Sequence, residues 1–248
     1  MEIIKTKSFE LAIISAGDVD ASKLAIVIPG RLDTKDYAQN PSHLKFLAAR
    51  GYYALSFDPP GTWDSPGSID LFSTTNYIKA VNEIIEYFGN KPTLVMGHSR
   101  GGTVTMLVGP QNPNITHMIS VNSSYGGPID VDKPVPGEVN VSNRDIPPGT
   151  ARTSEQKRFD LPYNYFVDAE QYDALAGLSK CTKPKLFFYG TKDILTTKNI
   201  VQKMYDVSAE PKMIHELNVE HDYRLHPKII DEVNETLGEF LDTYPNAG

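Results

Sequence analysis

The chain predicts an α/β fold, a mostly parallel central sheet with helices on both faces and one inserted segment. Three observations carry that expectation. Short continuous apolar runs of strand type recur along the sequence, and amphipathic runs of helical period fall between them. A third run of this kind, over residues 93–97, meets a glycine-flanked serine that opens a helix-compatible stretch. Apolar runs without alternation fit strands buried on both faces, and parallel neighbours joined by helices produce that burial.

The elements follow in order. Residues 2–15 hold two β-prone runs around Lys7 and Ser8, with Ile3 and Ile4 in the first and Phe9, Leu11, Ile13 and Ile14 in the second, so a leading hairpin is expected. Residues 24–28 form a purely apolar strand ending at Pro29 and Gly30. A loop with Arg31, Asp33, Lys35 and Asp36 leads to a helix over residues 41–50, closed by Gly51. Residues 52–57 make the next strand, which Asp58, Pro59, Pro60 and Gly61 break. Tyr77, Ile78, Val81, Ile84, Ile85 and Phe88 then recur with helical spacing until Gly89 and Asn90 stop the helix.

Beyond the serine stretch, residues 115–121 read as another strand. From residue 123 to 182 the chain is rich in Pro, Gly, Asn and Asp, with scattered aromatics and little periodicity until residues 169–178. We expect an inserted cap or lid there, with the core formed by residues 1–122 and 183–248. Regularity returns with a strand at 185–190, a helix near 197–206, a strand near 213–217 and a final helix near 227–241.

Composition excludes several classes. With 248 residues, 40% hydrophobic and 22% charged, the chain has the material for one large buried core, and disorder is not expected. The net charge of -7, with no long run of Lys or Arg, argues against a nucleic-acid partner. One cysteine, Cys181, cannot form an internal disulfide, which fits a reducing compartment. The first residues lack the apolar stretch of a signal peptide, and no run of about 18 apolar residues occurs, so a soluble cytoplasmic protein without a membrane partner is expected.

The chemistry centres on Gly97-His98-Ser99-Arg100-Gly101. A serine hydroxyl attacks efficiently only when exposed and within reach of a base. Glycines two residues on either side let the backbone turn sharply and pack closely. Ser99 then stands at a helix N-terminus, where the backbone N–H of Arg100 can face an oxyanion.

Ligand sites in open α/β sheets gather at the carboxyl ends of strands. Four polar positions directly follow strands: Gly30-Arg31, Ser99, Asp193 and His221. Asp193 is either a turn residue bonding its own backbone or the carboxylate that orients a catalytic histidine. Nothing acidic follows the preceding strand at Asn122 and Ser123. Among six histidines, His43, His98, His117 and His215 are read as structural; His221 follows the last strand and is the expected base, with His226, beside Pro227, as its rival.

The order Ser99, Asp193, His221, together with the elbow, the glycine turn after residues 24–28 and the loop from Gly190 to Asp193, is similar to that of the α/β-hydrolase family. The resemblance covers almost the whole chain outside residues 123–182. It implies a serine hydrolase that needs no metal or organic cofactor and acts on a small-molecule ester, with Ser99, Asp193 and His221 as the triad and Arg100 and Arg31 supplying oxyanion N–H groups. Leu32 is the alternative to Arg31 as donor. This chain departs from the family pattern at Pro29-Gly30, where many members carry His-Gly. It departs again at Trp63, which stands where a second glycine is usual, either near the pocket or packed in its loop.

Six aromatic side chains are candidates for contact with substrate: Trp63, Tyr125, Phe159, Tyr163, Tyr165 and Phe166. The guanidinium groups of Arg31 and Arg100 are expected to pair with nearby acids such as Asp33, Asp36 or Asp58, the alternative being a substrate carboxylate. The expected activity is hydrolysis of carboxylic esters of small or medium acyl groups. Acyl transfer, carbon–carbon bond hydrolysis and cofactor-free perhydrolysis use similar triads in the family, and a non-catalytic ligand-binding member is the remaining alternative.

Overall fold

The computed structural model describes residues 2–127 and 133–245. A hairpin of β1 (Glu2–Lys5) and β2 (Glu10–Ala16) opens the chain as expected, and β2 runs antiparallel to β4 (Tyr52–Phe57). The strands β3 (Lys23–Ile28), β5 (Thr93–His98), β6 (Ile115–Val121), β9 (Lys185–Gly190) and β10 (Lys212–Leu217) complete an eight-stranded sheet in the order β1-β2-β4-β3-β5-β6-β9-β10. All neighbours from β4 to β10 in that order are parallel.

The helices α1 (Gln39–Ala49), α2 (Thr74–Tyr87), α3 (Arg100–Val108) and α6 (Lys198–Val207) make the crossovers, and α7 (Pro227–Thr243) closes the chain. Alternation along the buried strands assigns the two faces. Leu24, Ile26 and Ile28 join Val81, Ile84, Val104 and Val201 in one core, whereas Ala25 and Val27 join Leu44, Leu47, Val233 and Leu237 in the other. Thus α2, α3 and α6 cover one face and α1 and α7 the other. The helix α1 begins two residues earlier than the sequence implies, because Pro41 is tolerated within a first turn whose N–H groups need no intrahelical acceptor.

Between β6 and β9 lies a segment outside the large sheet, and here the sequence reading missed regular structure. The strands β7 (Val139–Asp145) and β8 (Gln156–Pro162) form an antiparallel hairpin, followed by α4 (Tyr163–Ala169) and a single turn, α5 (Leu175–Leu178). The buried positions of β7 are Ser142 and Asp145, so its inward face carries no apolar signature to detect. Phe159, Leu161, Tyr165, Phe166 and Leu178 extend the core that contains α2 and α3. Residues 128–132, within the expected cap, lie outside the described residues. Among the described residues, no helix is long and apolar enough to cross a membrane.

Candidate active site

The site grows from the end of β5. Ser99 has φ 51° and ψ -120°, a conformation that costs about 1–3 kcal/mol for a residue with a Cβ. Its neighbours hold it there. Its N–H donates to the Val121 carbonyl at 3.0 Å, and its carbonyl accepts from Thr103 N–H at 3.1 Å. A methyl group on Gly97 would lie 2.2 Å from the Gly101 carbonyl carbon, and one on Gly101 would lie 2.1 Å from the Ile28 oxygen. Both glycines are therefore required by close backbone packing, and the turn leaves Ser99 half-buried.

Two strand-end loops bring the partners. Ser99 Oγ lies 2.9 Å from His221 Nε2, and His221 Nδ1 lies 2.7 Å from Asp193 Oδ2. Because a carboxylate accepts only, Nδ1 carries the proton and leaves Nε2 free to accept from the serine. Asp193 Oδ1 also accepts the N–H groups of Leu195 and Thr196 at 2.8 and 2.9 Å, and Oδ2 accepts the Thr196 hydroxyl at 2.5 Å. Burial pushes this carboxyl up, but the hydrogen bond and charge of His221 and the Thr196 donors outweigh burial and hold its pKa below the ordinary carboxylate value. Asp193 thus combines the two sequence readings, bonding its own loop and orienting the histidine.

The other histidines are engaged elsewhere. His226 caps α7 and meets Glu220 Oε1 at 2.6 Å. His43 lies between Asn234 at 2.6 Å and the Tyr223 hydroxyl at 2.8 Å, and burial pushes its pKa down to about 4. His117 meets the Tyr244 carbonyl, and His215 meets Glu232. His98 is also buried, but beside the triad: its Nε2 donates to the backbone carbonyl of His221 at 2.9 Å, and its Nδ1 makes a charge contact with Asp33 at 3.4 Å.

On the other side of the nucleophile, Arg100 is the first residue of α3, so its N–H has no intrahelical acceptor. The loop after β3 carries Arg31, whose carbonyl accepts from Arg144 Nε at 3.1 Å and Nη2 at 2.9 Å. Leu32 follows with φ 60°, and its carbonyl accepts from Trp63 Nε1 at 2.8 Å. Trp63 makes edge contacts with Tyr37 and Phe159 at ring separations of 6.1 and 5.5 Å. It therefore packs within its loop and braces the turn that bears Arg31. Arg144 is a site residue the sequence did not reveal, since an arginine in an aperiodic stretch carries no signal of its target.

The expected ion pairs of Arg100 with Asp33, Asp36 or Asp58 do not form. Lys35 Nζ takes Asp36 and Asp58, at 2.7 and 2.9 Å, and Asp64 at 2.8 Å; Asp33 faces His98 and Arg144. The carboxylates of Asp36, Asp58 and Asp64 converge within 4.8 Å, but the lysine ammonium already supplies the cation between them.

Of the remaining aromatic candidates, Tyr165 reaches the elbow, with the Arg100 guanidinium carbon 5.9 Å from its ring centroid. Phe166 is fully buried in the core, Phe159 packs on Trp63, Tyr125 lies under Lys203, and Tyr163 lies under Lys133. Two surface grooves, one along α2 at Thr75, Ile78 and Asn82 and one on the loop from Ile146 to Glu155, include no residue of the Ser99, His221 and Asp193 set. Chemistry rather than concavity locates the site.

Comparison with known proteins agrees with this architecture. The sequence profile of the alpha/beta hydrolase fold matches residues 25–153. The mitochondrial palmitoyl-protein thioesterase ABHD10 of Bos taurus is 20% identical over 227 residues, covering 87% of this chain and 74% of that protein. The Mus musculus protein of the same name is 21% identical, covering 82% and 69%. Among solved structures, Est1E from Butyrivibrio proteoclasticus with bound ferulic acid superposes with a TM-score of 0.77 at 17% identity, covering 98% of both chains.

Proposed function

Because the chain belongs to the alpha/beta hydrolase fold family, we propose that it is a serine hydrolase cleaving carboxylic esters, with Ser99 as nucleophile, His221 as general base and Asp193 as the carboxylate that orients the base. The observation that carries this reading is the unbroken chain from Ser99 Oγ through both ring nitrogens of His221 to Asp193, built on a strained serine at a helix N-terminus.

In this mechanism His221 Nε2 takes the serine proton as Oγ attacks the substrate carbonyl carbon. The oxyanion is held by the backbone N–H groups of Arg100 and Arg31. Asp193 stabilises the imidazolium, which then protonates the departing alcohol. Water repeats the cycle on the acyl-enzyme and releases the acid. The inserted segment acts as a cap in this proposal, with Arg144 fixing the Arg31 loop from above. The site needs no metal or organic cofactor for these steps, and its partner is a small-molecule ester. A cytoplasmic site of action belongs to the same proposal and is supported by the single cysteine.

A fluorophosphonate probe tests the reading. It should label Ser99 stoichiometrically, because no other serine shares the elbow and its base; labelling that persists in Ser99→Ala overturns the assignment.

The similarity to the palmitoyl-protein thioesterases of Bos taurus and Mus musculus favours a second reading, hydrolysis of a thioester by the same residues. The leaving group then departs as a thiolate, which asks less of His221 as an acid. We expect short aryl esters to turn over faster than long-chain substrates, because the insertion is short and three of its aromatic residues, Phe159, Tyr165 and Phe166, are already packed in the core. Faster turnover of palmitoyl-CoA than of p-nitrophenyl butyrate would reverse this expectation and favour the thioester.

A further inference from the structure

The elbow carries a cation that the triad does not use. Arg100 is only 9% exposed, and its Nη1 has no hydrogen-bond partner among the described residues. Among the described residues no carboxylate pairs with it: Asp36 and Asp58 are committed to Lys35, and Asp33 to His98 and Arg144. A buried charge without a counter-ion is costly, and native interiors rarely leave one uncompensated.

Two further polar atoms at the same junction are in the same condition. The Tyr165 hydroxyl on α4 and the Thr74 hydroxyl at the start of α2 are buried without partners, in residues only 1% exposed. Neighbouring contacts draw these groups together. Tyr165 stacks on Phe72 with ring centroids 5.2 Å apart and lies beneath the Arg100 guanidinium. Thr75, next to Thr74, donates its N–H to Asp168 one turn beyond Tyr165, at 3.0 Å. Tyr77, which contacts Phe72, donates its hydroxyl to the Pro29 carbonyl at 2.7 Å, and Gly101 packs against that same oxygen. The cluster therefore sits beside the oxyanion loop and the nucleophile.

We propose that Arg100, Tyr165 and Thr74 form a subsite beside Ser99 that receives a carboxylate carried by the substrate. This deepens the hydrolase reading and rests on it for the identity of the bond cleaved. The guanidinium, the phenol and the hydroxyl all donate, and a carboxylate is the group that only accepts. Arginine reads its two oxygens as a fork and neutralises its charge at once. Water would satisfy the hydrogen bonds but leave the buried charge uncompensated. The protein carries a net charge of -7, so an anionic substrate needs such a local cation to enter.

Two substrate series test the subsite and tell which side of the ester bears the charge. The p-nitrophenyl hemi-esters of succinic, glutaric and adipic acid are compared with p-nitrophenyl butyrate, pentanoate and hexanoate. For the leaving group, 4-acetoxybenzoate is compared with its methyl ester. In at least one series the wild type should favour the anionic member in kcat/KM by about tenfold or more, and Arg100→Leu should erase the preference while Arg100→Lys keeps part of it. Equal rates for charged and neutral members in both series, or a preference unchanged in Arg100→Leu, overturn the proposal. Should Arg100→Leu fail to fold, Arg100→Lys and Tyr165→Phe must each reduce the preference. Calorimetry with monomethyl succinate, glutarate and adipate on Ser99→Ala separates this proposal from the reaction class. Binding that disappears on adding Arg100→Leu supports the subsite even if no ester is cleaved, and binding that is absent or unaffected overturns it.

Discussion

His221→Ala is expected to lower kcat by about 10³-fold or more, whereas His226→Ala should cost less than about tenfold. The geometry makes the difference categorical. His221 alone bridges Ser99 Oγ at 2.9 Å and Asp193 Oδ2 at 2.7 Å, while His226 Nε2 is committed to Glu220 at 2.6 Å. Removing His221 takes away both proton acceptor and proton donor, so only the oxyanion donors and substrate binding remain to accelerate the reaction. Asp193→Asn should also impair kcat severely. The amide can offer its N–H to Nδ1, which would place the imidazole proton on Nε2 and remove the base facing Ser99. Steady-state kinetics on p-nitrophenyl butyrate, with folding checked by circular dichroism, decides the matter. Loss of activity in folded His226→Ala with His221→Ala active would assign the base to the wrong loop.

The elements that were legible in the sequence are those in which burial and period coincide. The strands β3, β4, β5, β6 and β9 are apolar on both faces and α2 is amphipathic, so their positions follow from composition alone. Ser99, Asp193 and His221 were legible for a different reason: each directly follows a strand, and strand ends converge on one edge of a parallel sheet. Interactions that depend on a distant chain segment were not. Within the β7–β8 hairpin, β7 buries Ser142 and Asp145 rather than apolar residues, so its alternation is masked, and the two apolar positions that β8 buries, Phe159 and Leu161, are too few to mark a strand. Arg144 reaches the Arg31 carbonyl 113 positions away, and no local pattern encodes that separation. For Arg100, the expected partners Asp36 and Asp58 are gathered by Lys35 and Asp33 by His98 and Arg144, contacts that no local pattern encodes.

The same blindness to distant partners hides the contact that ties the insertion to the catalytic loop. Arg224, three residues after His221, is 3% exposed and donates Nη2 to Asp145 Oδ2 at 2.5 Å and Nη1 to the Gly149 carbonyl, with its guanidinium 4.5 Å from the Tyr37 ring. Arg152 joins Asp145 to Asp222, the residue after His221. Removing the buried partner leaves Asp145 with only the exposed Arg152 as counter-charge, so Arg224→Met should cost about 3 kcal/mol. For a chain of this size that lowers Tm by roughly 10 °C. Adding Asp145→Asn to Arg224→Met removes the stranded charge while keeping an acceptor for the Thr153 N–H and should recover part of the loss.

The pH dependence has a defined sign. Burial alone would raise the Asp145 carboxyl, but donors from Thr153, Gln156 and Arg224 hold it far below the usual carboxylate range. A depressed folded-state pKa contributes stability above the unfolded value of about 3.9, and that contribution is lost as pH falls through the folded value. Without Arg224 the carboxyl protonates at higher pH, which relieves the stranded charge in the variant first. The stability gap between wild type and Arg224→Met should therefore narrow between about pH 5 and about pH 3. Urea denaturation at the two pH values measures it, and a gap that stays constant or widens in acid would mean that Arg224 stabilises the protein by packing on Tyr37 rather than by its charge.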